Sequence, residues 1–202
     1  MIEQSSGNRW SIVWQWVVAV GVTTFLAAAA GLFGLWSIGD ALEAALGEAA
    51  AYAAAGAFFG ALVGLGVAAG SAPFLQPIGV SAGRWIGATV AGGAAGMAIA
   101  LPLFLVVLES ATMPQLVSGI VMGLALGIPI GAVQTALLRS RGLAGGWWGA
   151  LTLAAFVAAT GAATRLGGEG REWLALGAMS LLYAGVTGVG ALRLQSRTVG
   201  AS

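Results

Sequence analysis

Charged side chains divide this chain into long apolar stretches. Between them lie six uncharged windows, residues 10–39, 49–83, 85–108, 110–138, 142–164 and 173–192. The shortest, at 20 residues, rises about 30 Å as an α-helix, the thickness of a bilayer's hydrocarbon core. Six windows predict six membrane spans. The window 49–83 is long enough for a span plus a loop, and Gly70-Ser71-Ala72-Pro73 and Gln76-Pro77 are its expected break. The fold class expected is all-α: one transmembrane domain over residues 1–202, a six-helix bundle.

Composition strengthens this reading. Hydrophobic residues make up 59% of the chain and charged ones 7%, with a mean hydropathy of +0.95. A soluble domain uses roughly a quarter of its residues as charges to cover its surface, so this surface must face lipid.

The missing residue types narrow the chemistry. Cys, Lys and His are all absent, and every basic residue is Arg. There is no thiolate, no lysine for a Schiff base, and none of the usual ligands for haem, zinc or iron–sulfur clusters. No catalytic residue, metal or cofactor is therefore expected, and no basic run exists to track nucleic acid. Gly79-Val80-Ser81-Ala82-Gly83 spells a nucleophile elbow, but a hydrolase needs a His base. Gly64-Leu65-Gly66-Val67-Ala68-Ala69 mimics a dinucleotide fingerprint without a strand before it, and reads as packing glycines.

Six spans sort the arginines. Arg9, Arg84, Arg139, Arg141, Arg193 and Arg197 fall on the side of the termini, and only Arg165 and Arg171 on the other. An excess of Arg marks the cytoplasm, so both termini are expected there. All acids but Glu3 fall on the opposite side. The eight tryptophans lie near predicted span ends and are expected in the interfacial belt. Arg9, the apolar run 12–25 and Ala27-Ala28-Ala29 also fit a signal peptide. The run continues to Gly39, however, so it is expected to be a retained span.

The spans repeat. Residues 82–88 and 144–150 are identical at five of seven positions at a spacing of 62, which aligns Trp85 with Trp147. The unit is a hairpin, a Trp-led helix out and a Gly-rich helix back to an Arg, at approximately 10–70, 85–139 and 147–193. Such parallel copies would be related by an axis along the membrane normal. Glycines four apart, Gly119, Gly123, Gly127 and Gly131, draw a seam for close helix approach, with Ala125 expected on the lipid side. The rows Gly83/Gly87/Ala91/Ala95 and Gly146/Ala150/Ala154/Ala158/Ala162 are expected to pack likewise.

Gly127, Gly131, Gln134, Leu138 and Arg139, followed by Trp147-Trp148, resemble a set of bacterial multi-pass membrane proteins of unassigned activity. These repeat a Gly-rich span, a Gln-Trp-x-x-x-Leu-Arg-like exit and a Trp-led return. Thr135 stands where that pattern has Trp, and Pro73 where the first hairpin would carry the Gln. The resemblance implies architecture only, and no activity; the location expected is the bacterial inner membrane.

Candidate ligand-contacting residues are few, because no ionisable group falls mid-span. They are Gln134 and Thr135, the helix-kinking Pro129, Tyr183, Thr187, and Glu109 at an outer span end. Two functions fit. One is a non-catalytic structural or accessory membrane component, with membrane lipids around it and a protein partner or second copy on its glycine seams. The other is a carrier or substrate-binding membrane subunit for a small solute or apolar ligand, similar in size and span number to the vitamin-binding subunits of energy-coupling importers.

Overall fold

The computed structural model describes the backbone of residues 4–110, 115–143, 145–168 and 170–199, with side chains for 10–103, 116–143, 145–168 and 170–194. The described residues form six α-helices and no strand: α1 Gln4–Leu46, α2 Glu48–Leu75, α3 Ala82–Ser110, α4 Gln115–Arg139, α5 Gly146–Leu166 and α6 Glu172–Val199. All six are long and apolar enough to cross a membrane. Each packs on its neighbours in the chain, and α6 returns onto α1, closing a ring.

α1 has 43 residues, about 65 Å of helix and twice what a bilayer needs. It runs past the exposed Trp36 into the acidic stretch that holds Asp40 and Glu43. Gly47, at φ 75°, turns the chain directly into α2; a side chain would strain that left-handed position.

Helix pairing rests on glycine. A methyl group placed on Gly123 would lie 2.5 Å from the Val157 Cα, and one on Gly119 2.8 Å from the Gly161 Cα. α4 and α5 therefore meet backbone to backbone. In α2, Gly56 and Gly60 press against the Met97 and Gly93 carbonyls of α3, and Gly64 faces the Thr89 carbonyl. Gly66 and Gly70 do the same against Thr23, Thr24 and Val20 of α1. Lipid gives no hydrophobic drive for helix association, so this closeness supplies it through dispersion. The short Thr23 Oγ1–Gly66 O (2.6 Å) and Thr160 Oγ1–Gly119 O (2.6 Å) bonds cross the same seams.

Four expectations need correction. α2 does not break at Gly70-Ser71-Ala72-Pro73: it continues to Leu75, and a 3-10 turn at Gln76–Ile78 follows. Gly70 and Ser71 are buried against neighbouring helices, and those contacts outweigh local breaking propensity. The rows Gly83/Gly87/Ala91/Ala95 and Gly146/Ala150/Ala154/Ala158 face outward, with Ala162 partly covered at the far end of the second. In α3 the contact glycines are instead Gly92, Gly93 and Gly96. Ala125 is not lipid-facing, since its carbonyl abuts Gly96. Finally, not all tryptophans form a belt: Trp10, Trp14, Trp36 and Trp173 are exposed, while Trp16, Trp85 and Trp148 are buried.

Candidate functional site: an indole and amide centre

The three buried indoles come from α1, α3 and α5, helices that are not neighbours in the ring, so they meet inside it. Trp148 packs edge-on to Trp16 at 5.9 Å between centroids and tilted to Trp85 at 6.3 Å. Phe74 of α2 lies against Trp16 at 5.3 Å. Aromatic pairs favour these tilted and edge arrangements.

A buried indole N–H needs an acceptor, and each of these three finds one on a Gly-rich helix. Trp85 Nε1 donates to Ser71 Oγ at 2.8 Å, Trp148 Nε1 to Gln134 Oε1 at 2.9 Å, and Trp16 Nε1 to Thr187 Oγ1 at 3.1 Å. Ser71 and Thr187 pass their own protons back one turn, to the Val67 and Tyr183 carbonyls. The three bonds tie α2 to α3, α4 to α5 and α6 to α1.

Gln134, fully buried, does more than its counterparts. Its Oε1 also accepts from Thr152 Oγ1 at 3.2 Å, and its Nε2 donates to Thr89 Oγ1 at 3.3 Å. Thr152 is paired in turn with the Tyr183 hydroxyl, and the Tyr183 ring packs tilted against Phe156 at 4.4 Å between centroids. One amide thus links α3, α4 and α5, with α6 joined through Thr152.

Of the residues singled out from sequence, Gln134, Tyr183 and Thr187 belong to this centre. Thr135 does not: its hydroxyl donates to the Gly145 carbonyl across the α4–α5 turn. Pro129 lies within uninterrupted α4, its ring and carbonyl against Gly96 and Gly92 of α3. Glu109 falls in the last turn of α3, and its side chain lies outside the described residues. Sequence reasoning missed Trp16, Trp85, Trp148, Ser71, Thr89 and Thr152. One signal could have found most of them. Ser71 precedes Trp85, and Gln134 precedes Trp148, by 14 residues each, and Thr89 and Thr152 follow those tryptophans by four.

Trp85 and Trp148 are 63 residues apart, and the same offset relates the turns. Gly79 and Gly142 both have positive φ, 82° and 71°. Val80 N–H bonds to Leu75 O and Leu143 N–H to Leu138 O; Gly79 N–H bonds to Gln76 O and Gly142 N–H to Arg139 O. Both are the paired bonds of a glycine helix stop. By environment Trp85 therefore corresponds to Trp148, not Trp147, whose N–H is buried without a partner. The position matching Gln134 is Ser71, not Pro73.

A second feature lies outside the ring. A groove of about 450 Å³ runs along the α4–α5 seam between Gly131, Ala132, Gly149, Ala150 and Leu153, and ends at Arg139. No protein-family model, curated protein or solved structure matches this chain.

Proposed function

We propose that the chain is a non-catalytic structural or accessory component of the bacterial inner membrane, with six spans and both termini cytoplasmic. The observation that carries this reading is the occupied centre. Where a carrier of this size would hold its solute, three indoles fill the ring and Gln134, Tyr183 and Thr187 bond to one another's surroundings. A second support is electrical. Among the residues with described side chains, every Arg, Asp and Glu is exposed or half-buried, so none offers a buried charge for an ion path. The glycine seams and the matching turns support two helix pairs of like build, α2–α3 and α4–α5; α6 and α1 would make a third pair through the Trp16–Thr187 bond, although the close glycine seam of α1 faces α2. The last pair is split by the chain termini. The pairs shift the sequence hairpin by one helix, and the likeness to bacterial multi-pass proteins fits the same layout.

Reconstitution into liposomes loaded with ions or small neutral solutes tests the function. The expected outcome is leakage no faster than in protein-free vesicles. Saturable flux of any of these solutes would instead support the carrier. Topology is checked separately by protease access to a tag on each terminus in right-side-out vesicles; both tags should be protected.

A further inference from the structure

The groove on the α4–α5 seam is unlike its counterpart on α2–α3. Moving back by 63 residues, Ile86 stands in place of Gly149, Ala68 in place of Gly131, and Gln76 in place of Arg139. One seam thus lacks a bulky side chain where the other has isoleucine, and at that same seam's polar end a neutral residue is replaced by a cation. Both changes are needed to make an amphipathic slot.

The polar end is electrostatically unfinished. Arg139 Nη2 lies 3.1 Å from where a Cβ on Gly146, the first residue of α5, would be. The N-terminus of α5 has no side-chain cap, and its first-turn N–H groups carry the positive end of the helix dipole. A guanidinium and a helix N-terminus therefore converge, two positive groups that an anion between them would satisfy. The carboxylates with described side chains, Asp40, Glu43, Glu48 and Glu172, belong to the opposite end of the bundle, where α1 ends and α2 and α6 begin. No acid of this set can supply that anion.

We propose that this groove is a binding site for an anionic phospholipid of the arginine-side leaflet. Its acyl chain lies on Gly131, Ala132, Ala150 and Leu153, and its phosphate sits between Arg139 and the first turn of α5. The small side chains let a hydrocarbon chain approach the helix backbones. Arg139 gives the preference for a charged headgroup, since guanidinium–phosphate bonds are among the stronger hydrogen bonds.

The test uses the full chain purified in detergent and titrated with dioleoyl phosphatidylglycerol or dioleoyl phosphatidylcholine, with bound lipid counted by native mass spectrometry. Phosphatidylglycerol should bind more tightly than phosphatidylcholine. R139Q, which installs the sister seam's residue, should erase that preference, an effect of about tenfold in affinity. A150L fills the slot from its exposed rim and should weaken phosphatidylglycerol binding to a similar degree. R84Q, an exposed arginine at the same end on α3, should leave it unchanged. Equal affinity for the two lipids overturns the proposal, and so does a preference that survives R139Q. Loss in R84Q equal to that in R139Q would reduce it to general surface attraction, and unchanged binding in A150L would show that the chain lies elsewhere. If R139Q does not fold, A150L decides alone.

Discussion

The α2–α3 and α4–α5 pairs are built alike and finished differently. Both use glycines at corresponding positions, Gly56/Gly60/Gly64 and Gly119/Gly123/Gly127, to bring backbones together. Both follow the first helix with a left-handed glycine and place an exposed glycine, Gly83 or Gly146, two residues before a buried tryptophan in the second. In the first pair, however, the indole is held by a serine that touches no other side chain among the described hydrogen bonds. In the second it is held by a glutamine bound to three side chains. Shared features therefore set the helix distance and the turn. The departures, Gln134 for Ser71 inside and Arg139 with Gly149 for Gln76 with Ile86 outside, mark where the second pair takes on additional contacts.

The harshest way to test the shared part is to put a side chain into each seam. G60L and G123L should both abolish recovery of folded protein or lower stability by more than about 3 kcal/mol, because backbone rather than a movable side chain meets the new atoms. A154L, on the outward row of α5, is the control and should be nearly neutral, since a lipid-facing leucine is at home. Folded yield and detergent melting temperature are the readouts. Tolerance of G60L beside intolerance of G123L would show that the two pairs are not equivalent.

A milder pair of changes separates the departures. Q134L removes the acceptor of Trp148 and Thr152 and the donor to Thr89, and should cost roughly 1–3 kcal/mol through the buried groups it leaves unpaired. S71A strands only the Trp85 N–H, and should cost about 0.6 kcal/mol, the typical size of an interhelical bond in membranes. Unfolding in mixed detergent compares them. Equal costs would mean that the glutamine network contributes no more than the single serine bond.

Much of the fold was legible because length and charge spacing decide it: a window of 20 or more uncharged residues admits few structures other than a span. The α4 seam was legible too, since glycines four apart define one face. The other small-residue rows were misassigned because in lipid an alanine-rich face can point either way, and hydrophobicity does not tell inside from outside. Trp16, Trp85 and Trp148 were misread for a related reason. Trp16 and Trp85 lie within two residues of the exposed Trp14 and Arg84, and Trp148 stands in the first turn of α5, so the place of each along the span looked interfacial. Its direction around the helix, which depends on Ser71, Gln134 and Thr187 of another helix, is not a local property. Where Trp147-Trp148 offers two tryptophans, residue identity aligns the first with Trp85. Hydrogen bonding chooses the second.

A last small effect is also a sharp one. Gly87 on α3 and Ala150 on α5 occupy corresponding outward positions, 63 residues apart. No atom lies within 4 Å of where a Cβ on Gly87 would stand, and it is inside a continuous helix. Its glycine therefore relieves no contact in the isolated protein, while glycine within a helix costs about 0.5–1 kcal/mol relative to alanine through backbone entropy. G87A, which gives the first pair the second pair's residue, should raise stability by up to that amount. A150G should lower it by a comparable amount, with the groove's shape changed little. A melting comparison of the two variants against the parent, at matched protein-to-detergent ratio, reads both signs. Were G87A destabilising instead, the row Gly83/Gly87/Ala91/Ala95 would have to be covered in the purified protein by a second copy or a tightly held lipid. The outward face of α3 would then be a contact surface of its own, a second difference between the two pairs outside the ring.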